Sequence, residues 1–200
     1  EKLLDASQDD AAKTVYQEML PAFWSEGEIS MHFRDMVLRQ EKDEDRESFL
    51  KLQKENLTAF HRESERDIWK EHRGDKIAGT IEERTTGEYV GYCALRSVNT
   101  SGWEIEVGIL RQWTGQKIGF HAVTAFLDAV SKRLQINCFR VRIAGDNYAS
   151  QALFEKIGAV PNGLSLFQLC QMCSEEEIQE FENRYKDQLD DSLLRVAEKF

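Results

Sequence analysis

The sequence has no run of about eighteen apolar residues, which a membrane-spanning helix would need, and no visible secretory signal. We therefore expect no membrane segment. Positive charge is also scarce, since 26 Lys and Arg stand against 36 Asp and Glu, giving a formal net charge of −10. Nucleic acid is not an expected partner, because binding a phosphate backbone requires a basic face. The first residue is Glu1 rather than Met, which is compatible with a trimmed or excised product.

Cysteine is sparse as well, with four residues in 200. Cys93 and Cys138 lie in apolar runs, so we expect both to be buried small side chains. Cys170 and Cys173 have the two-residue gap of a metal or redox pair. No second pair or paired histidines lie nearby, so no metal site is predicted. This usage fits a reducing cytoplasm.

Two hundred residues suit one domain, with or without an extension, and an apolar fraction of 41% is enough for a sizeable core. The most informative stretch is residues 111–134, RQWTGQKIGFHAVTAFLDAVSKRL. From Ile118 to Leu134 apolar residues recur at every fourth position, which predicts one buried stripe of a long helix. Thr114 and Gly115 mark its start, because a hydroxyl can cap a helix and glycine permits a sharp turn.

The start of this predicted helix is a candidate anion site. The first turn of any helix leaves N–H groups unpaired at the positive end of the dipole. Here no carboxylate occurs between Arg111 and Asp128, and Arg111 and Lys117 flank the turn. Residues 111–160 carry seven basic and three acidic side chains within an otherwise acidic chain, which favours a small anionic ligand. An ordinary capped helix in an α/β domain is the alternative.

Periodicity predicts a helical front and a strand-rich second half. The predicted helices of the front cover residues 9–20, ending at Pro21, then 30–39 and 48–60, with a solvated charged turn at 41–47. The predicted strands are residues 2–6, 77–84, 89–98, 103–110, 137–144 and 159–167. Further helices are predicted from Asp146 to Ile157, closed by Gly158, and over residues 174–200. A helical crossover between strands 103–110 and 137–144 implies that these two run parallel in a mixed sheet.

Three segments in this order resemble the GNAT superfamily of N-acetyltransferases. They are the hairpin IAGTIEERTTGEYVGYCAL, the turn QWTGQKIG at residues 112–119, and DNYASQALFEKIGAV at residues 146–160. The third resembles the family's later cofactor segment, and the second its pyrophosphate loop. Among the members of the superfamily, these segments most resemble the ribosomal-protein-alanine N-acetyltransferases. Three positions depart from the pattern: Lys117 replaces Gly or Ala in the loop, Phe154 replaces the tyrosine that often acts as general acid, and Ala159 follows Gly158.

The resemblance implies a single α+β (mixed α/β) domain over residues 1–200, with a mostly antiparallel sheet, one parallel pair and flanking helices. Residues 1–75 would be a mostly helical acceptor-side region, residues 76–167 the acetyl-CoA-binding core, and residues 174–200 a C-terminal helix. The implied activity is acetyl transfer from acetyl-CoA to a primary amine, on a small molecule or a peptide N-terminus, by direct attack. The implied cofactor-binding residues are Ile109, Leu110, Arg111, Gln112, Gly115, Gln116, Lys117, Ile118, Gly119, Asn147 and Ser150.

An attacking amine must lose a proton, so a base is needed. Glu104 and Glu106 are the candidates, because both project from the same face of the predicted strand 103–110; a pair of solvated surface carboxylates is the alternative. Tyr148 and Tyr92 are candidate proton donors. His121 is interpreted as a packing or surface histidine.

Two other functions fit the sequence. Phe154 and Lys117 are compatible with a non-catalytic acyl-CoA-binding GNAT domain that has a regulatory or protein-interaction role. The apolar stripe along residues 174–200 is compatible with pairing to a partner or to a second copy in a homodimer, or with packing on its own domain.

Overall fold

A computed structural model of the chain describes residues 18–56, 68–74, 76–97, 103–143 and 147–160. The chain divides into two compact units, Glu1–Val141 and Arg142–Phe200. No helix in the described ranges is long and apolar enough to cross a membrane. Outside the described residues lie the strand predicted at 2–6, all but the first two residues of the strand predicted at 159–167, the helix predicted at 174–200, and Cys170 and Cys173.

The first unit is built on a six-stranded sheet whose strands lie side by side in chain order. They are β1 (Ile29–Ser30), β2 (Met36–Gln40), β3 (Ile77–Glu83), β4 (Glu88–Ser97), β5 (Trp103–Ile109) and β6 (Phe139–Arg140). All neighbouring pairs are antiparallel except β5 and β6, which are parallel. The predicted mixed sheet with one parallel pair is confirmed. A helical crossover brings the chain back to the same end of the sheet, so β6 must run parallel to β5.

Helices cover both faces of this sheet. Residues 18–24 are helical, and the other helices of the first unit are α1 (Arg46–Asn56), α2 (Ile68–Gly74) and α3 (Ile118–Leu134). Phe49 and Leu52 of α1 and Trp69 of α2 pack in one cluster with the β4 residues Tyr92 and Ala94. The helix α3 contacts β5 and buries its own apolar stripe, from Ile118 through Ala122 and Phe126 to Val130, as its periodicity predicted. The second unit contains α4 (Tyr148–Ile157).

The helix predicted over residues 30–39 is wrong, because this segment forms the hairpin of β1 and β2. Met36, Val37 and Leu38 are consecutive and all buried. A short apolar run of this kind fits a strand and a buried helix equally well. The segment is a strand because it pairs with the neighbouring strand β3. The antiparallel ladder has five residue pairs, from Met36 opposite Glu83 to Gln40 opposite Gly79.

The helix expected to end at Pro21 continues to residue 24. Phe23 is fully buried and Trp24 nearly so. Phe23 packs edge-on against Phe126 of α3, with 5.7 Å between ring centroids. Burying two aromatic side chains offsets the backbone hydrogen bond that proline cannot donate.

The charged segment 41–47 is exposed at five of its seven residues, as predicted, but it is not wholly a solvated turn. Its residues 43–45 form a short 3-10 helix that leads into α1, and Glu41 and Asp45 are buried. Asp45 accepts two hydrogen bonds of 2.8 Å from the guanidinium of Arg39 and a third from the hydroxyl of Thr80. A buried carboxylate is tolerated only with such partners, and these come from two separate strands.

Other strand and cysteine predictions had mixed outcomes. The strands predicted at 77–84, 89–98 and 103–110 match β3, β4 and β5 within one residue, whereas the strand predicted at 137–144 is only the two-residue β6. A bulge at Val90, between the pairs Ile81–Gly91 and Glu82–Tyr89, was not predicted.

Cys93 is buried as predicted, but Cys138 is exposed, because it lies in the open segment between α3 and β6.

Candidate active site

The turn between β5 and α3 has the backbone geometry that its glycine predicted. Residues 111–113 form a 3-10 turn, and Gly115 then adopts φ +73° in an exposed bend. A Cβ added at Gly115 would meet no atom within 4 Å, so the bend is open on that side. Lys117, the residue before α3, is also left-handed at φ +64°. Here the chain has lysine in a conformation that favours glycine.

Unpaired amides line this bend. Within the described part of the chain, the backbone N–H groups of residues 115–119 have no hydrogen-bond acceptor. They lie at the positive end of the 17-residue helix α3, beside the exposed side chains of Arg111 and Lys117. Such an arrangement is complementary to a phosphate or diphosphate group.

The expected hydroxyl cap is absent. The Thr114 hydroxyl donates to the carbonyl oxygen of Arg111, 2.8 Å away, rather than accepting from the first turn of α3. The helix begins instead at left-handed Lys117, without a side-chain cap. The amides that a cap would have occupied therefore remain available to a ligand.

Two carboxylates accept hydrogen bonds from residues 111–113, the first part of the loop. Glu55 of α1 accepts a 2.9 Å hydrogen bond from the Arg111 N–H. Glu88 accepts from both the Gln112 amide nitrogen at 2.7 Å and the Trp113 indole nitrogen at 3.2 Å. The Gln112 side chain, expected near a pyrophosphate, is thus engaged with the start of β4. These contacts fix the loop to the sheet, while Gly115 and Lys117 remain exposed.

The hairpin of β1 and β2 adds a cation that the sequence did not reveal. Arg34 lies between these strands, and its guanidinium donates to the side-chain oxygen of Gln116 at 2.5 Å. The neighbouring Phe33 ring stacks on His121 of α3, with centroids 3.9 Å apart, which confirms His121 as a packing residue. Because the segment was predicted to be helical, its placement beside the loop could not be foreseen.

The C-terminal half of β5 presents backbone groups to the outside of the antiparallel sheet. The Leu110 N–H donates to Val90 O at 2.9 Å, so this amide is engaged within the sheet. Hydrogen bonding alternates along an antiparallel strand, so the N–H and C=O of Ile109 point away from β4. In the described residues, the ladder with β6 covers only the pairs Trp103–Phe139 and Glu104–Arg140. The two strands therefore pair at one end only.

A cavity of about 210 Å³ lies against the face of β4 and β5 that α1 and α2 cover. Its apolar wall includes Phe49 and Ile68, and its polar lining comprises Gln53, His72, Lys76, Tyr92, Arg96 and Glu106. Only Glu106 and Tyr92 of these were candidates from the sequence. Polar and apolar groups converge in this cavity, as in binding sites for small organic ligands.

The two candidate bases, Glu104 and Glu106, are not solvated strand carboxylates. Glu104 is 6% exposed and accepts a 3.0 Å hydrogen bond from Arg96. Glu106 lies 2.7 Å from the Lys76 ammonium and 3.4 Å from the Arg96 guanidinium. Burial by itself raises the pKa of Glu106, but the charge and hydrogen bond of Lys76 and the charge of Arg96 outweigh it, so the pKa lies below its usual value. Glu106 is therefore an ionised, paired carboxylate and a weak base.

Tyr92 stands at the cavity wall with its hydroxyl 3.3 Å from the side-chain nitrogen of Gln53. Burial, together with the charge of Glu106, raises the pKa of Tyr92 well above its ordinary value. The phenol therefore stays protonated and can donate a hydrogen bond inside the cavity.

The remaining predicted site residues belong to the second unit. Asn147 caps α4, its side-chain oxygen accepting a 3.1 Å hydrogen bond from the Ser150 N–H. Gly158 ends the same helix at φ +101°, as predicted. Tyr148 is 74% exposed on the first turn, while Phe154 is buried.

The mixed sheet, the amide-lined loop and the cavity on the face of β4 and β5 are together those of an acyltransferase. A family model described as "Acetyltransferase (GNAT) domain" matches residues 6–160, and the chain belongs to this family. No curated protein matches the sequence.

Solved structures support the fold at low sequence identity. The ribosomal-protein-S5-alanine acetyltransferase from Vibrio fischeri is 12% identical, with a TM-score of 0.54 over 68% of this chain and 85% of that chain. The spermidine N-acetyltransferase from Vibrio cholerae, described as a dodecamer, is 17% identical, with a TM-score of 0.55 over 66% and 83%. A domain from Methanocaldococcus jannaschii is 24% identical, with a TM-score of 0.52 over 64% and 90%.

Proposed function

We propose that this chain is an acetyl-CoA-dependent N-acetyltransferase that moves the acetyl group to a primary amine, on a small molecule or a peptide N-terminus. The observation that carries the proposal is the run of backbone N–H groups at residues 115–119 that have no hydrogen-bond acceptor within the described residues. In this arrangement the amides bind the diphosphate of acetyl-CoA, and the dipole of α3 favours its negative charge. Exposed Arg111 and Lys117, with Arg34 from the front hairpin, add positive charge.

The thioester arm would follow the outer edge of β5. The backbone groups of Ile109 face away from β4, where an extended chain can bond to them. An N–H donor placed at the thioester carbonyl would stabilise the negative charge that develops on its oxygen when the amine attacks. The amine nitrogen then forms a bond to the carbonyl carbon, the carbon–sulfur bond breaks, and the coenzyme leaves as its thiol after gaining a proton.

The acceptor amine would occupy the cavity of about 210 Å³ beside β5. That volume equals roughly seven water molecules, which suits a compact amine or one terminal residue of a peptide. Glu106, the acidic side chain of the lining, is already paired with Lys76 and Arg96. A second ammonium group of a polyamine would meet two cations rather than an uncompensated carboxylate. This charge arrangement favours monoamines over polyamines.

Two measurements test the proposal. Calorimetry with acetyl-CoA and with S-acetylpantetheine, which lacks the diphosphate, should show binding of the first that is at least tenfold tighter. A thiol-release assay over a panel of monoamines, polyamines and short peptides should show turnover above hydrolysis. Absence of acetyl-CoA binding would remove the proposal. Tight binding without turnover on any amine would instead establish a non-catalytic acyl-CoA-binding domain.

A further inference from the structure

His72 of α2 occupies an unusual position in the cavity wall. It is 2% exposed, and its ring stacks on Phe49 with 4.3 Å between centroids. The edge of Tyr92 packs against it at 4.8 Å. Its Nε2 lies 2.7 Å from Oε1 of Glu41, which is itself buried at 8% exposure. The ring is therefore fixed on both faces and at one nitrogen.

The Glu41 contact determines which ring nitrogen carries the proton. When the Glu41 carboxylate is ionised it can only accept a hydrogen bond, and Nε2 of His72 is then the donor. In the neutral imidazole this leaves a lone pair on Nδ1. Nδ1 is buried and has no hydrogen-bond partner among the described residues. A buried polar atom without a partner is costly unless a ligand or a reacting group completes it.

We propose that Nδ1 of His72 accepts the proton of the acceptor amine, and that Glu41 is the positioning residue that holds the imidazole in the required tautomer. This inference rests on the proposed acetyltransferase activity. Of the other cavity groups, Glu106 is paired with Lys76 and the phenol of Tyr92 stays protonated, so neither offers a free base. Among the described residues of the lining, His72 combines a place in the cavity with an unused basic nitrogen.

The proton and electron balance is complete without a further reactant. The ammonium form of the amine gives one proton to Nδ1, and His72 becomes an imidazolium whose charge Glu41 stabilises. The neutral amine attacks the thioester carbon and releases the coenzyme as thiolate. The nitrogen, now an amide, loses its second proton, and the thiolate takes up one proton, so that thiol and amide are the products.

Several charges bear on the protonation of His72. Glu41 contacts it directly, while Lys76, Arg96 and Glu106 line the same cavity, with Glu106 compensating both cations. Tyr92 faces the ring as a neutral phenol. The carboxylate of Glu41 is thus the charged group that His72 contacts directly.

The decisive experiment compares wild type with His72→Gln and Glu41→Gln, using exposed His32→Gln as the control. We expect His72→Gln to lower kcat roughly 100-fold and to abolish the acidic limb of the kcat profile between about pH 5 and pH 9. Its acetyl-CoA affinity should stay within about twofold of wild type. Glu41→Gln should lower kcat about tenfold without changing acetyl-CoA affinity, because the imidazole loses the contact that fixes its tautomer. His32→Gln should leave the profile unchanged.

Two further measurements keep the inference testable if His72→Gln folds poorly. Added imidazole should restore part of the activity of His72→Ala. In the wild type, ¹⁵N NMR of the ring should show the proton on Nε2. A proton on Nδ1, or a folded His72→Gln with the wild-type profile, would overturn the role of His72 while leaving the acetyltransferase assignment intact. Failure of the wild type to bind acetyl-CoA or to turn over any amine would instead remove both.

Discussion

Replacing Gly115 by valine is the sharpest test of the amide-lined loop. Gly115 has φ +73°, and a Cβ at this position would have no neighbouring atom within 4 Å, so the substitution creates no steric clash there. The cost to folding is then confined to the left-handed backbone, on the order of 1–2 kcal/mol. For a chain of this size that corresponds to a drop in Tm of roughly 2–8 °C.

The effect on ligand binding should be larger than the effect on folding. Valine disfavours the left-handed bend, so the amides at 115 and 116 would turn away from the diphosphate. Each hydrogen bond to a charged group contributes about 1.5–3 kcal/mol. Losing two of them predicts an acetyl-CoA Kd raised at least about 100-fold.

Gly27→Val is the matched control. Gly27 has φ +81° and also no neighbour within 4 Å, so the backbone penalty is the same. Its carbonyl accepts from Arg133, which lies fifteen residues after Ile118 along α3, or roughly 22 Å from the loop. Calorimetry and thermal melts on both variants separate the effects. Equal acetyl-CoA affinity in Gly115→Val and wild type would refute the loop as diphosphate site, and equal losses in both variants would show a global effect.

Four other predictions follow from particular contacts. Lys117→Gly relieves φ +64° and should raise the free energy of unfolding by roughly 0.5–1 kcal/mol in urea titrations; a decrease would contradict this. Asp45→Ala removes the bidentate partner of Arg39, which keeps Glu82 at 2.6 Å, and should cost roughly 1.5–3 kcal/mol of the free energy of unfolding. Burial raises the pKa of Asp45, but the hydrogen bonds of Arg39, the Lys42 N–H and Thr80 hold it below the ordinary value. The ionised Asp45 carboxylate therefore stabilises the fold above about pH 4, and this stabilisation is lost as the pH falls through the folded-state pKa. The difference in free energy of unfolding between wild type and Asp45→Asn should become smaller in acid. Glu104 is paired with Arg96, and Glu106 with Lys76 and Arg96; Glu104→Gln and Glu106→Gln should therefore lower kcat less than His72→Gln, with little change in acetyl-CoA affinity, and a larger loss in either variant would make that carboxylate the base. Exposed Cys138 should react with iodoacetamide long before Cys93, because burial raises the pKa of the Cys93 thiol; peptide mapping showing the reverse order would contradict the burial.

The second half of the first unit was predictable because its signals are local. Alternating residues of β3, β4 and β5, the turn at residues 84–87, and the four-residue spacing along α3 each belong to a few neighbouring positions. The bend at Gly115 was predictable for the same reason, since glycine alone enters the left-handed region without strain. The sequence could not show that Lys117 shares that conformation, because lysine gives no signal for it.

The hairpin of β1 and β2 and the buried charges were decided by tertiary structure. Glu41 and His72 are 31 residues apart, Lys76 and Glu106 are 30 apart, and Asp45 and Thr80 are 35 apart. A charged residue in sequence is interpreted as solvated unless its partner is known, and no local pattern names a partner at that separation. The sequence by itself determined the loop, its helix and the strands beside it. Only the packing of α1 and α2 on the sheet created the cavity, because burial and charge pairing are properties of the assembled chain.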